Sequence, residues 1–220
     1  MTPTFTRFAR GSALLAAIAG LTYTVTFIVV VQNGSEWAHW TSSIALFVGA
    51  LAAVPTFCGA FFAVATRERE FALVALILGV AGALGSATHA AYDLAVLANP
   101  PGGNLGAAGD LPFAADPRGF ATFALVGLSL ALFGWLGVRT AALPAAVVVL
   151  AEAAGLSLLV IFVGRLTVLD PKSGLLRPLT ALSGFVLNPA LLVAFAFGLF
   201  RPEAAGRTTS PAPLLPAGGG

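Results

Sequence analysis

Six apolar stretches, at about 11–32, 42–65, 71–98, 117–138, 143–165 and 178–200, each reach the ~20 residues that a helix needs to cross a hydrocarbon core about 30 Å thick. In that solvent a backbone must pair its own N–H and C=O groups, which runs of this length do as helices. The chain is therefore read as all-α, a polytopic membrane protein with a six-helix transmembrane bundle. One domain over residues 1–200 is followed at 201–220 by a tail rich in Pro, Gly and Ala, the composition of a disordered cytoplasmic end. Overall composition agrees. Of 220 residues, 58% are hydrophobic and 9% charged, whereas a soluble domain is about a quarter charged. The lipid bilayer is the partner expected to cover most of the surface.

Charge and cysteine content exclude several classes. The net charge is +2 with no cluster of basic residues, so nucleic acid is not an expected partner. Cys58 stands alone in an apolar run, which excludes an intrachain disulfide, a CxxC redox pair and a thiolate metal cluster. Glycine-rich phosphate loops are missing, and the single lysine, Lys172, falls in an interhelical loop where it cannot form a buried Schiff base. The two histidines lie near one interface, which offers no within-membrane pair for haem. No cofactor and no metal is expected. Ten Arg to one Lys, with abundant Ala and Gly, is the usage of a GC-rich bacterial genome.

The first stretch begins with Arg7 and Arg10 but runs on through Tyr23, Val25 and Phe27 to Val31, which reads as an uncleaved signal anchor rather than an export signal. Thr41 and Ser42 are positioned to cap the second helix, Asp116–Pro117 to open the fourth, Leu143–Pro144 the fifth and Arg177–Pro178 the sixth. With the N-terminus inside, Arg7, Arg10, Arg67, Arg69, Arg139, Arg201 and Arg207 are cytoplasmic, against Arg118, Arg165, Lys172 and Arg177 outside. Seven against four predicts a multi-pass protein of the inner cell membrane with both termini cytoplasmic.

Two groups of polar residues stand out. Glu152 is nine residues into the fifth helix, about 13 to 14 Å from the boundary and so near the middle of the core. A carboxylate there costs ~2.5–3.5 kcal/mol unless neutral or partnered. Asn188, followed by Pro189, lies at similar depth in the sixth helix, and Thr22, Thr26 and Thr56 add hydroxyls at mid-depth. These five are the expected intramembrane polar site, with Asn188 or a helix-one threonine as the partner of Glu152. The other reading makes Glu152 interhelical glue.

In the third helix Gly79, Gly82, Ser86, His89 and Asp93 recur at spacings of 3, 4, 3 and 4, which puts them on one helix face. That face is expected to point into the bundle or its outer vestibule. His89 and Asp93 belong near the outer interface, joined there by Glu36 and His39 of the first outer loop and by Asp110 and Asp116. A His–Asp pair one turn apart commonly satisfies itself, and metal ligation is the weaker reading. The loop from Asn99 to Asp116 is long for a compact bundle, either a lid or a link.

The HAAYDL run at 89–94, a Pro-Gly loop and DPRG at 116–119 resemble uncharacterised six-helix integral membrane proteins of high-GC bacteria. The resemblance implies the class and no activity. Two functional readings follow: a protein that binds or transports a small solute or ion through a polar site around Glu152, or a non-catalytic accessory or structural subunit packed against a membrane-protein partner or a second copy. Nothing supplies a nucleophile with a base, so an enzyme is the less expected reading.

Overall fold

The computed structural model describes residues 1–27, 35–99, 120–167, 174 and 176–199. Among these there are helices and no strand. α1 is Pro3–Val25, α2 is Glu36–Val64 and α3 is Arg69–Ala98. α4 opens with a π-helical stretch, Phe120–Leu125, and continues as Val126–Thr140. α5 is Ala145–Thr167 and α6 is Leu176–Leu199. Each of the six is long and apolar enough to cross a membrane. The 99–116 loop beyond Asn99, the Asp116–Pro117 cap, Arg118, Lys172 and the 201–220 tail lie outside the described residues.

Two helix starts differ from the pattern read in the sequence. α1 begins ahead of its apolar run because Thr2 caps it, its Oγ1 accepting from the Phe5 N–H at 3.3 Å, with Pro3 at a position where no N–H is needed. α2 starts at Glu36, whose carboxylate in the first turn complements the helix dipole. Glu36 and His39, expected in a loop, are therefore helical. Thr41 and Ser42 do not cap: they lie inside α2, and their hydroxyls donate to the carbonyls of Trp37 at 2.8 Å and His39 at 3.0 Å.

The helices form a ring. Each packs on the next in sequence, and α6 returns to pack on α1. Contact is closest where glycines remove side chains: a Cβ at Gly155 would stand 2.8 Å from the Gly127 carbonyl, so α4 and α5 meet backbone to backbone. On α3, a Cβ at Gly79 would stand 2.6 Å from Ser129 Oγ and 2.7 Å from the Phe57 ring. That space is used, because the buried Ser129 hydroxyl crosses it to donate to the Ala75 carbonyl at 2.7 Å.

One half of the ring is solid. Toward the end where α1 begins and α6 finishes, Ala60, Val64, Ala72, Phe133, Leu136 and Val147 form a continuous buried core. The same end is tied by polar contacts: Arg139 Nε lies 2.6 Å from Glu68 Oε1, Arg67 donates to the Thr140 carbonyl, and the Arg10 guanidinium sits 4.8 Å over the Phe197 ring. The α4–α5 turn is made there by Ala141, in the left-handed region at φ 51°, as at many helix C-termini. Outward faces carry Ile18, Ile44, Ile77, Leu128, Val149, Leu156 and Val193, all exposed, the surface expected of helices solvated by lipid rather than water.

Candidate functional site

The other half of the ring is hollow. A cavity of about 600 Å³ runs from the middle of the bundle toward the end where α1 finishes and α6 begins, and all six helices contribute to its wall. That volume lies within the usual range for small-molecule sites, about 300–1,000 Å³. Small residues make the room: Ala16, Ala17 and Gly20 on α1, Gly49, Ala50 and Ala53 on α2, and Ala83 on α3.

Partway along the wall lies a polar network, beyond which Leu191, Leu192 and Phe195 continue the lining toward the packed half. Asn188 Nδ2 donates to the Ser183 carbonyl and to the Ser183 hydroxyl, both at 3.0 Å. The Ser183 hydroxyl lies 3.2 Å from that of Ser157 on α5, which bonds the Ala154 carbonyl at 2.8 Å. This chain is built on a distorted turn. Ser183–Leu187 is π-helical, the Asn188 backbone N–H also bonds the Ser183 carbonyl, and Pro189 then interrupts the α register because it has no N–H to give. At the same level, Thr24 of α1 packs on Gly184, where a Cβ would stand 2.7 Å from Thr24 Oγ1. The Thr24 hydroxyl is itself bonded to the Gly20 carbonyl at 2.8 Å.

Aromatic rings line the wall at several levels, Phe57 and Phe195 toward the packed half and Tyr23 and Phe123 toward the open half. Toward the open half come His39, His89, Asp93 and Arg165. His89 Nε2 and Asp93 Oδ2 are 3.5 Å apart, one turn along α3. The Arg165 guanidinium lies 4.8 Å over the Phe123 ring, a stacking that holds a planar cation in place. Ser86, on the His89 face, lies 3.3 Å from the Thr122 hydroxyl. Gly79, Gly82 and Ser86 are buried and His89 and Asp93 half-buried.

Asn188, Thr56, His39, His89 and Asp93 thus share one cavity, whereas Thr22, Thr26, Glu36 and Glu152 do not line it. Thr22 and Thr26 bond carbonyls of their own helix, Ile18 at 2.9 Å and Thr22 at 2.7 Å. Thr24, two residues from each and so about 200° around the axis, takes the cavity position instead. Glu152 lies on the α4–α5 seam, where a Cβ at Gly134 would stand 2.7 Å from its Oε1. It is half-buried and makes no hydrogen bond or ion pair with another described residue. The expected bond to Asn188 or to a helix-one threonine is not formed, because Asn188 turns to Ser183 and both threonines to their own backbone. Among the described residues no three His, Cys, Asp or Glu side chains gather to hold a metal ion.

Thr24, Ser157, Ser183 and Arg165 belong to the wall or its supporting network without having been singled out as site residues. A signal existed for two of them: Gly20 with Thr24, and Ser183 with Gly184, are small residues where two helices meet. No family model, curated protein or solved structure matches the chain.

Proposed function

We propose that this chain is a multi-pass protein of the inner cell membrane, both termini cytoplasmic, that binds or transports a small solute in the cavity enclosed by its six helices. The observation that carries the reading is asymmetry: one half of the ring is packed solid and the other encloses about 600 Å³. A concave chamber of that size, open at one end and walled by small and aromatic residues, is the usual form of a small-molecule site. Arg7, Arg10, Arg67, Arg69 and Arg139 sit at the solid end, which the positive-inside bias assigns to the cytoplasm. The hollow end then opens outward. The site of the proposal centres on Asn188, Thr24 and Thr56 rather than on Glu152.

Native mass spectrometry after mild detergent extraction tests this. The wild-type chain should carry a small molecule, and an Ala83→Trp variant that fills the cavity should lose it while remaining folded. A wild-type chain with no bound small molecule, or one equally retained by the filled variant, contradicts the reading.

Glu152 favours a second role beside the first, packing against a membrane partner or a second copy. A half-buried carboxyl on the α4–α5 rim, without a hydrogen bond to a described residue, gains most from a donor or acceptor supplied by another chain. Loss of self-association or partner capture on Glu152→Leu, with monomer stability retained, is the expected result. An unchanged assembly state removes this reading.

A further inference from the structure

Resting on the proposed cavity, we infer that its ligand is an amphiphile with one anionic head, a carboxylate or a phosphate ester, held beside Arg165 with its apolar body among the aromatic rings. The wall divides by chemistry. Partway along the wall the polar donors are already used, since Asn188 is bonded to Ser183 and Thr24 to the Gly20 carbonyl, and beyond them the lining is apolar, with Phe57, Leu191, Leu192 and Phe195. Donors used in this way are not on offer to an anionic head, while the apolar lining suits the body of an amphiphile.

The open half is different. Its one carboxylate among the described residues, Asp93, already faces His89 at 3.5 Å. Arg165 forms no ion pair with a described residue, and its guanidinium is fixed 4.8 Å over Phe123 with its in-plane N–H fork still to be used. A planar cation at the polar end of an apolar chamber matches an anionic head in charge and geometry. A cationic head would face Arg165 directly, and a neutral head would leave the guanidinium unanswered in a site of low dielectric.

The test is scintillation-proximity binding of tritiated dodecanoate and dodecanol to the full chain in phosphatidylcholine nanodiscs. Dodecyl phosphate and dodecyltrimethylammonium serve as competitors. Dodecanoate should bind saturably, at least about tenfold more tightly than dodecanol, as a charge-assisted bond requires. Dodecyl phosphate should displace it and the ammonium compound should not; which of the two anions binds more tightly identifies the head. Arg165→Gln should remove most of the preference for acid over alcohol, and Arg165→Lys should keep part of it. Dodecanol binding equal to dodecanoate, or stronger displacement by the ammonium compound, overturns the anionic assignment in the wild-type protein whatever the variants do. If neither amphiphile binds while native mass spectrometry still finds a small molecule lost on Ala83→Trp, the amphiphile is wrong and the cavity reading stands.

Discussion

Asn188 holds Ser183 by two hydrogen bonds from one amide, Nδ2 lying 3.0 Å from both the carbonyl oxygen and the hydroxyl. The pair closes the widened turn of α6 ahead of Pro189 and forms a polar band on the cavity wall. Hydrogen bonds inside membrane proteins contribute about 0.6 kcal/mol each and at most about 1.7. Asn188→Ala should therefore lower stability by about 1–2 kcal/mol in denaturant titration of the detergent-solubilised chain. Thr22→Val, where the hydroxyl lost donates to the Ile18 carbonyl of its own helix, should stay within about 0.5 kcal/mol of wild type. Equal losses in the two variants would remove the distinction between cavity wall and helix surface.

Gly79 gives a sharper packing test. A methyl group there would meet Ser129 Oγ at 2.6 Å and the Phe57 ring at 2.7 Å, and Ser129 cannot withdraw without losing its bond to Ala75. Gly79→Ala should destabilise by about 1–3 kcal/mol through overpacking. At Gly11 nothing lies within 4 Å of the added carbon, so Gly11→Ala should be neutral or gain up to about 1 kcal/mol from helix propensity. Thermal unfolding of the two variants side by side reads the difference, and a Gly79→Ala chain as stable as wild type would mean that α3 is not seated against α4.

Glu152 and the cavity should respond independently. Its carboxyl rests on Gly134, away from the cavity wall, so Glu152→Gln and Glu152→Leu should leave the bound small molecule unchanged in native mass spectra. The leucine variant removes an insertion penalty of ~2.5–3.5 kcal/mol and should fold at least as well as a monomer. Loss of the bound molecule in a folded Gln variant would place Glu152 in the site after all.

The count and order of the helices were legible because length alone decides them: a run such as 71–98 has few other ways to satisfy its backbone in lipid. Starts were less legible. The Thr2–Pro3 cap is a local signal outside the apolar run, while Thr41 and Ser42 look like caps yet bond backward inside α2. Asn188 and Thr56, the polar residues next to Pro189 and Pro55, both line the cavity, as their pairing with a helix-distorting proline suggests. Rotation was not legible. A helix apolar toward both lipid and core has no polar face to show which side turns inward, so nothing local separates Thr24 from Thr22 and Thr26, or shows that Glu152 sits on the seam with Gly134. Those placements come from where the glycines of neighbouring helices let the chains approach.

Cysteine accessibility tests the hollow outer half most directly. In a Cys58→Ser background, Thr56→Cys places a thiol in the cavity wall, and Val64→Cys places one two turns further along α2, in the solid core. Applied to whole cells, a small membrane-impermeant thiol reagent should label position 56, and prior filling of the cavity by Ala83→Trp should block the reaction. Position 64 should remain unlabelled from either side. Labelling of position 64 but not 56, or of neither, would contradict a cavity open at the end where α1 finishes and α6 begins.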